Sequence, residues 1–192
     1  MYCGVCKVNA AAAAQILIDS YGVGAMINAG TAGGMDTRVT ILDTVIATEV
    51  AYHDVNPEIL TDYHPWMPDE FFRADKTMLC AAKSAVIKCQ NIHTIHFGRM
   101  VTGETFITDS GRDEINARLR PLSVDMETGS IAHVCYINNI PFIAVRTITD
   151  TAIHSGEVNF EANCMSASEI SKDITLALLD ELSKGSDRNA NS

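Results

Sequence analysis

Apolar and polar positions alternate along the chain in blocks that predict helices and strands in turn. Helical spacing predicts helices over residues 10–19, 75–88, 109–119 and 127–136. Short, β-branched apolar runs predict strands over residues 25–29, 41–50, 93–101 and 141–147. We expect Asn9 to cap the first helix and Gly30 to end the first strand, opening a glycine-rich turn.

Two further segments complete this pattern. Ile170, Ile174, Leu178 and Leu182 recur at a spacing of four residues, so a last helix is expected to lay one apolar stripe on the core. We expect this helix to stop near Gly185, with residues 186–192 as a polar tail. Residues 52–72 contain three prolines among polar and aromatic residues, which predicts a long loop without regular structure.

Strands that alternate with helices favour a central sheet covered on both faces, the α/β sandwich class. The 192 residues, 47% of them apolar, suffice for one domain with a sizeable core, which we place at residues 1–185. Residues Tyr2 to Val8 resemble the end of a strand and a turn. We therefore expect an N-terminal portion to be missing.

Charge and cysteine usage narrow the classes of partner. A net charge of -10 opposes binding to a phosphate backbone, so no nucleic-acid partner is expected. The six cysteines are scattered through apolar stretches, which favours reduced thiols and a cytoplasmic protein. Cys3 and Cys6 form an isolated C-x-x-C, a weak sign of redox chemistry. The spacings predict neither a metal site nor a membrane span.

Three polar clusters follow predicted strands, at the edge where open α/β sheets bind ligands. The first is Asn28 to Gly34, which carries Thr31 and Gly33 and is alternatively a tight turn. The second, Val124 to Thr128, contains Asp125, Met126 and Glu127 and is alternatively a helix cap. The third contains Arg146, Thr149 and Asp150, where Arg146 alternatively forms a structural ion pair with Glu127.

Histidines and aromatic residues add weaker candidates. His53 lies beside Asp54 in the predicted loop, where we interpret it as a structural hydrogen-bonding residue. Phe106 and Phe160 can stack on a base or belong to the core. The remaining histidines of interest lack ligand spacing and are interpreted as structural: His93, His96, His133 and His154.

Taken together, these clusters resemble the purine/uridine phosphorylase superfamily, and within it the methylthioadenosine/S-adenosylhomocysteine nucleosidases. The resemblance covers about Gly4 to Leu182. It comprises Gly4 to Asn9, Asn28 to Gly34, Tyr52 to Asp54, Thr102 to Ile107, Val124 to Glu127 and Arg146 to Asp150. It implies a three-layer αβα sandwich with a central mixed sheet, a purine nucleoside as substrate, no cofactor, and a homodimer.

The resemblance also implies roles for these residues. Asp150 is the acid that protonates purine N7, and Thr149 orients it. Phe106 stacks on the base while the backbone of Ile107 reads its edge. Met126 and Glu127 hold the ribose, and Arg146 orients Glu127 and the attacking water. Thr31 and Gly33 line the ribose and water side. We add Asp125 and Phe160 as substrate-binding candidates.

Departures from the family keep alternatives open. Family members carry an N-terminal strand and a Glu that helps activate water, and this chain begins after that region. An inactive nucleoside-binding remnant is therefore one alternative to a nucleosidase. A purine nucleoside phosphorylase is another, but related phosphorylases place an Arg in the segment that here reads Asn28-Ala29-Gly30. Cys6 stands where a glycine is usual.

Overall fold

The computed structural model describes residues 1–89, 94–107, 109–153 and 157–189. Its helices are α1 (Lys7–Tyr21), α2 (Pro57–Asp62), α3 (Lys76–Cys89), α4 (Asp109–Leu119), α5 (Thr128–Asn138) and α6 (Glu157–Asn189). Its strands are β1 (Met26–Gly34), β2 (Thr44–Tyr52), β3 (Phe72–Arg73), β4 (Ile95–Thr102), β5 (Ser123–Asp125) and β6 (Phe142–Asp150). The predicted alternation of strands and helices is confirmed.

The strands form one mixed sheet in the order β3-β2-β4-β5-β1-β6. The pairs β1–β6, β2–β4 and β4–β5 are parallel, and the pairs β1–β5, β2–β3 and β2–β6 are antiparallel. Because Thr44–Ile46 of β2 also pairs with Val145–Thr147 of β6, the sheet closes on itself through β2, β4, β5, β1 and β6. The predicted central mixed sheet is confirmed.

Helices cover both faces of the sheet, as the alternating side chains of the strands require. Val45 and Ala47 of β2 join the cluster that contains Ala10 and Ala14 of α1 and residues of α5. Ile46, between them, joins the cluster built from α3 and α6. Helix α4 packs through Ile115 and Leu119 onto Ala51, Val101 and Val124. These layers are those of the predicted three-layer sandwich.

The apolar stripe of the last helix is confirmed, but its predicted end is wrong. Ile174 and Leu178 are buried, and Ile170 and Leu182 pack against the same cluster. The helix runs through Gly185 to Asn189, so part of the predicted tail continues α6. A glycine costs about 1 kcal/mol in a helix interior, which this long helix absorbs.

The first helix begins earlier than Asn9. Cys6 occupies the N-cap position, and Lys7 is the first helical residue. The Asn9 side chain lies inside the first turn and donates from Nδ2 to the carbonyl of Val5 over 2.8 Å. The helix ends at Tyr21, two residues beyond the predicted bound, where Gly22 adopts a left-handed conformation with φ of 60°.

The predicted glycine-rich turn is instead a continuation of β1. Pairing with β6 runs in parallel from Met26 opposite Phe142 to Gly33 opposite Asp150, with one irregularity between Ala32 and Gly33. The neighbouring strand supplies hydrogen bonds that a local reading of glycine cannot anticipate. This extension carries the first polar cluster along the same edge as the third.

The predicted long loop holds two short elements. Pro57 lies in the first turn of α2, where its missing N–H costs nothing, and β3 pairs with Glu49 and Val50 of β2. The predicted strand start at His93, and His154, lie outside the described residues. Among the helices that the structure describes, none has the length and apolar composition of a membrane span.

Candidate active site

A cavity of about 1040 Å³ opens at the carboxyl ends of β1 and β6. Every site residue predicted from the sequence lines it: Thr31, Gly33, Phe106, Ile107, Asp125, Met126, Glu127, Arg146, Thr149, Asp150 and Phe160. Strand pairing explains the convergence, because Thr31 lies opposite Thr147, and Gly33 opposite Asp150, in the parallel β1–β6 ladder. The structure thus brings the three polar clusters together.

Arg146 is buried and lines this cavity. Its Nη2 donates to Glu127 Oε2 over 3.2 Å, and its Nη1 donates to the carbonyl of Thr31 over 3.1 Å. Its Nε contacts Asp125 Oδ2 at 3.2 Å. The predicted ion pair of Arg146 with Glu127 is therefore present, and two carboxylates offset the cost of burying the guanidinium.

Both carboxylate oxygens of Asp125 accept hydrogen bonds from other groups of the protein. Its Oδ1 accepts hydrogen bonds from Thr102 Oγ1 at 2.7 Å and from the Thr128 amide at 3.0 Å, and Oδ2 accepts from the Thr128 hydroxyl. The amide of Glu127 also donates to Oδ1. Asp125 is thus the residue that caps α5, and its contribution to ligand binding remains a prediction.

Glu127 occupies the N-cap position of α5, but its side chain makes no capping hydrogen bond and faces the cavity. Its Oε1 accepts from the amide of Cys6 at 3.0 Å, and its Oε2 from Arg146. Burial raises the pKa of this carboxyl above its usual range, although Arg146 acts in the opposite direction. The Glu127 carboxylate is thereby held between the Cys6 amide, at the start of α1, and Arg146 of β6.

Asp150 ends β6 in a different environment. The residue is 2% exposed, and its Oδ1 accepts from Thr149 Oγ1 over 2.9 Å. Burial raises the pKa of Asp150, and the hydrogen bond from Thr149 offsets only part of that effect. A Cβ atom on Gly33 would lie 3.1 Å from Asp150 Oδ2, so a glycine there leaves the carboxyl room. This carboxyl is suited to carry a proton.

Phe106, in the segment before α4, and Phe160, in the first turn of α6, both line the cavity. Their ring centroids lie 6.3 Å apart at an interplanar angle of 82°. Phe106 keeps 38% of its surface exposed, so its ring is available to a ligand. This edge-to-face aromatic pair and the buried acid Asp150 line the same cavity.

Two hydrogen bonds that position residues of the cavity had no signal in the sequence. Asn28 donates from Nδ2 to Thr128 Oγ1 over 2.9 Å, 100 positions away. Asn163 of α6 donates to the carbonyl of Thr149 over 3.0 Å. The first contact joins β1 to α5 and the second joins the consecutive elements β6 and α6, so each depends on how a helix packs against the sheet.

The remaining histidines lie away from this chemistry. His96 pairs with Asp43 at 3.0 Å, and His133 stacks on Phe72 with centroids 4.9 Å apart. His53 Nε2 is buried and has no hydrogen-bond partner among the described residues, contrary to its interpretation as a hydrogen-bonding residue. No group of three or more metal-ligating side chains occurs in the part of the chain that the structure describes.

Comparison with known proteins agrees with this geometry. The sequence profile of the phosphorylase superfamily matches residues 1–180. The 5'-methylthioadenosine/S-adenosylhomocysteine nucleosidase of Psychromonas ingrahamii is 36% identical over 162 residues, covering 82% of this chain and 70% of the relative. This chain belongs to that nucleosidase family of the phosphorylase superfamily.

Further relatives extend the similarity over most of the chain. The nucleosidase of Bacillus cytotoxicus is 33% identical over 184 residues, covering 93% of this chain and 79% of the relative. The crystal structure of the nucleosidase from Colwellia psychrerythraea in complex with adenine superposes with a TM-score of 0.85 at 30% identity. It covers 94% of this chain and 76% of that one.

Proposed function

We propose that this nucleosidase-family chain hydrolyses the N-glycosidic bond of 5'-methylthioadenosine, S-adenosylhomocysteine and similar nucleosides, releasing adenine. The observation that carries the proposal is the buried carboxyl of Asp150, whose pKa is raised by burial, in a cavity with Phe106 and Phe160. The similar Colwellia enzyme is described in complex with adenine. The reaction needs no cofactor.

Departure of adenine is the difficult step, because the anion of the base is a poor leaving group. We assign to Asp150 the role of general acid, which donates its proton to N7 as the bond from N9 to the sugar breaks. A positioned acid accelerates such a step by about 10²–10⁴-fold. Thr149 orients the carboxyl through its 2.9 Å hydrogen bond, and Phe106 stacks on the base.

The sugar is left as an oxocarbenium-like species that water then attacks. We assign to Glu127 the binding of the ribose hydroxyls, with Met126, Thr31 and Gly33 packing beside it. Arg146 holds Glu127 through its 3.2 Å contact and orients the water. Asp125 completes the arrangement by balancing the charge of Arg146 at 3.2 Å.

Water is favoured over phosphate as the nucleophile. A phosphate dianion requires cationic donors that are free to bind it. Arg146 is engaged by Asp125 and Glu127, and a Cβ atom on Gly30 would lie 2.6 Å from Arg146 Nη1, so an added side chain has no room there. We expect turnover that does not depend on phosphate.

Adenine release from methylthioadenosine, with and without phosphate, tests the assignment. Asp150→Asn is expected to lower kcat by about 10²–10⁴-fold, because the amide cannot supply the proton. Asp69→Asn serves as the matched control, because Asp69 pairs with Arg73 at the surface. Phosphate-dependent release would favour a phosphorylase. Tight adenine binding by a folded chain without release would favour a nucleoside-binding remnant.

We further propose a cytoplasmic homodimer that serves methionine salvage. Salvage follows from a substrate that carries the methylthio group. Exposed apolar side chains on α1 and in the segment after α2 offer surface for a second copy: Val8, Ile16, Tyr63 and Trp66. Sedimentation velocity is expected to give twice the mass of one chain. A species with the mass of one chain at micromolar concentration would contradict the dimer.

A further inference from the structure

Three charged residues outside the cavity lining form a closed cluster that the reaction above does not use: Lys7, Asp54 and Glu104. The Lys7 ammonium donates to both carboxylate oxygens of Asp54 at 2.9 Å. The amide of Glu104 donates to Asp54 Oδ2 at 2.9 Å, and Glu104 Oε1 accepts from the amide of Lys7 at 3.0 Å. The cluster therefore ties the loop before Phe106 to the start of α1.

The cluster acts on the same helical turn that contacts Glu127. The amide of Cys6 donates to Glu127 Oε1, and the next amide, that of Lys7, donates to Glu104 Oε1. Cys6 supplies no side-chain cap of its own to α1. Two carboxylates from elsewhere in the chain thus bind free amides at the positive end of the helix.

Cys6 requires such support because its backbone is strained. Its φ of 76° and ψ of 163° fall in a region that is essentially limited to glycine. A side chain there is destabilising and persists only where the surroundings dictate the conformation. The contacts of Glu104, Asp54 and Lys7 supply that constraint on the residue directly after Cys6.

We propose that Glu104, together with Lys7 and Asp54, is a positioning residue that holds the Cys6 amide on Glu127 and so orients the ribose-binding carboxylate. The inference rests on the proposed role of Glu127 at the ribose. Glu104 acts on the start of α1, through the Lys7 amide and through a side-chain hydrogen bond with Cys6 that raises the pKa of the Cys6 thiol, and it does not line the cavity. Its loss is therefore expected to affect nucleoside and free adenine differently.

The first experiment compares Glu104→Ala with wild type in kcat/KM for methylthioadenosine and in the dissociation constant of adenine. We expect kcat/KM to fall about tenfold, because a small misplacement of a positioning group is costly. The affinity for adenine is expected to stay within about twofold of wild type. Glu104→Gln keeps an acceptor oxygen for the Lys7 amide and is expected to recover most of the loss.

Glu70→Ala provides a matched control, because Glu70 pairs with Arg118 at 3.2 Å outside the cluster. Its kcat/KM is expected to equal that of wild type. Circular dichroism and the urea midpoint of each variant establish that it is folded. An equal fall in nucleoside and adenine binding in Glu104→Ala would overturn the inference, because it would mean that the loop carrying Phe106 had moved.

Two double variants test the route of the effect. In a Glu127→Gln background, Glu104→Ala is expected to change kcat/KM by less than about twofold, because its target is already removed. In a Cys6→Gly background the effect is also expected to shrink, since glycine adopts the conformation without strain. Independent, fully additive effects in both backgrounds would contradict a positioning role.

Failure of the proposed function remains distinguishable from failure of this inference. If the wild-type chain releases no adenine, the hydrolytic assignment fails. Intact methylthioadenosine then serves as the ligand, and its dissociation constant replaces kcat/KM in the same comparison with adenine. A selective loss of nucleoside affinity in Glu104→Ala supports the inference in that case too, and no selective loss overturns it.

Discussion

Asp150 and Glu127 are carboxyls of one cavity whose surroundings differ. Glu127 lies 3.2 Å from the guanidinium of Arg146, whereas Asp150 Oδ1 accepts a hydrogen bond from the neutral hydroxyl of Thr149. Burial raises the pKa of both groups, and a cation opposes the rise at each: Arg146 in direct contact with Glu127, and Arg112 through its electrostatic field at Asp150. Direct contact with a cation at Glu127 and with a neutral hydroxyl at Asp150 supports the proposed roles of Asp150 in proton donation and of Glu127 in sugar binding.

The raised pKa of Asp150 predicts the direction of the pH dependence. Its protonated form persists above the ordinary aspartate value of about 3.9, so kcat/KM is expected to fall as pH rises through the higher, folded-state pKa. The stability that this group contributes is present below the unfolded pKa and is lost over the same rise. Urea unfolding of wild type and Asp150→Asn across pH measures the second effect, and an unchanged pH slope would contradict it.

Gly30 is predicted to be essential because of the group it faces. A Cβ atom there would lie 2.6 Å from Nη1 of Arg146, whose buried guanidinium contacts Asp125, Glu127, the carbonyl of Thr31 and the hydroxyl of Thr128. Gly30→Ala is therefore expected to lower kcat/KM by about tenfold or more by displacing Arg146. Gly24→Ala, with nothing within 4 Å of the added Cβ, is the matched control. Equal activities of the two variants would refute the argument.

At the scale of elements, the start of α5 shows how capping and chemistry are divided between neighbours. Asp125 accepts the amides of Glu127 and Thr128 and so caps the helix. Glu127, two positions on, is thereby free to face the cavity. The sequence leaves a helix cap and a functional pair as alternatives for this motif. In the structure Asp125 makes the capping hydrogen bonds, and the Glu127 side chain faces the cavity.

Helix α6 permits a test of the core with adjacent leucines. Leu178 is 1% exposed in the cluster shared with α3, whereas Leu179 is 47% exposed. Leu178→Ala is expected to cost about 2–5 kcal/mol of the free energy of unfolding, since it removes buried methyl groups and leaves a cavity. Leu179→Ala is expected to cost less than about 0.5 kcal/mol. Urea titration of both variants decides, and similar losses would place the stripe wrongly.

The whole molecule is organised by the closure of its sheet. Strand β6 pairs with β1 along its length and with β2 at Val145–Thr147. The same strand contributes residues to the cavity and to two of the three core clusters. Opening the site would therefore require separating paired strands. The site and the fold are expected to be lost together.

This coupling predicts a single unfolding transition. Adenine-releasing activity and far-ultraviolet circular dichroism are expected to fall at the same urea concentration, as they do in a two-state domain. Loss of activity well before loss of ellipticity would show that the region around the site opens on its own. The Asp69→Asn variant, altered at a surface pair, is expected to retain coincident midpoints.

Much of the fold and site was open to prediction from the sequence. Local apolar periodicity determined the order of the strands and helices, and the three polar clusters were expected at strand ends, where Arg146 and Glu127 indeed pair. These features depend on neighbours within a few residues. Glycine patterns misled at β1 and at Gly185, because strand pairing and helix length outweigh the preference of a single residue.

Only the tertiary structure decided which distant groups meet. The Cys6 amide reaches Glu127 across 121 positions, Asn28 reaches the hydroxyl of Thr128 across 100 positions, and β6 closes the sheet onto β2. Each contact depends on how layers pack, which is set by the burial of many side chains together. Sequence spacing determined the chemistry available to this protein, and packing determined the geometry in which it is held.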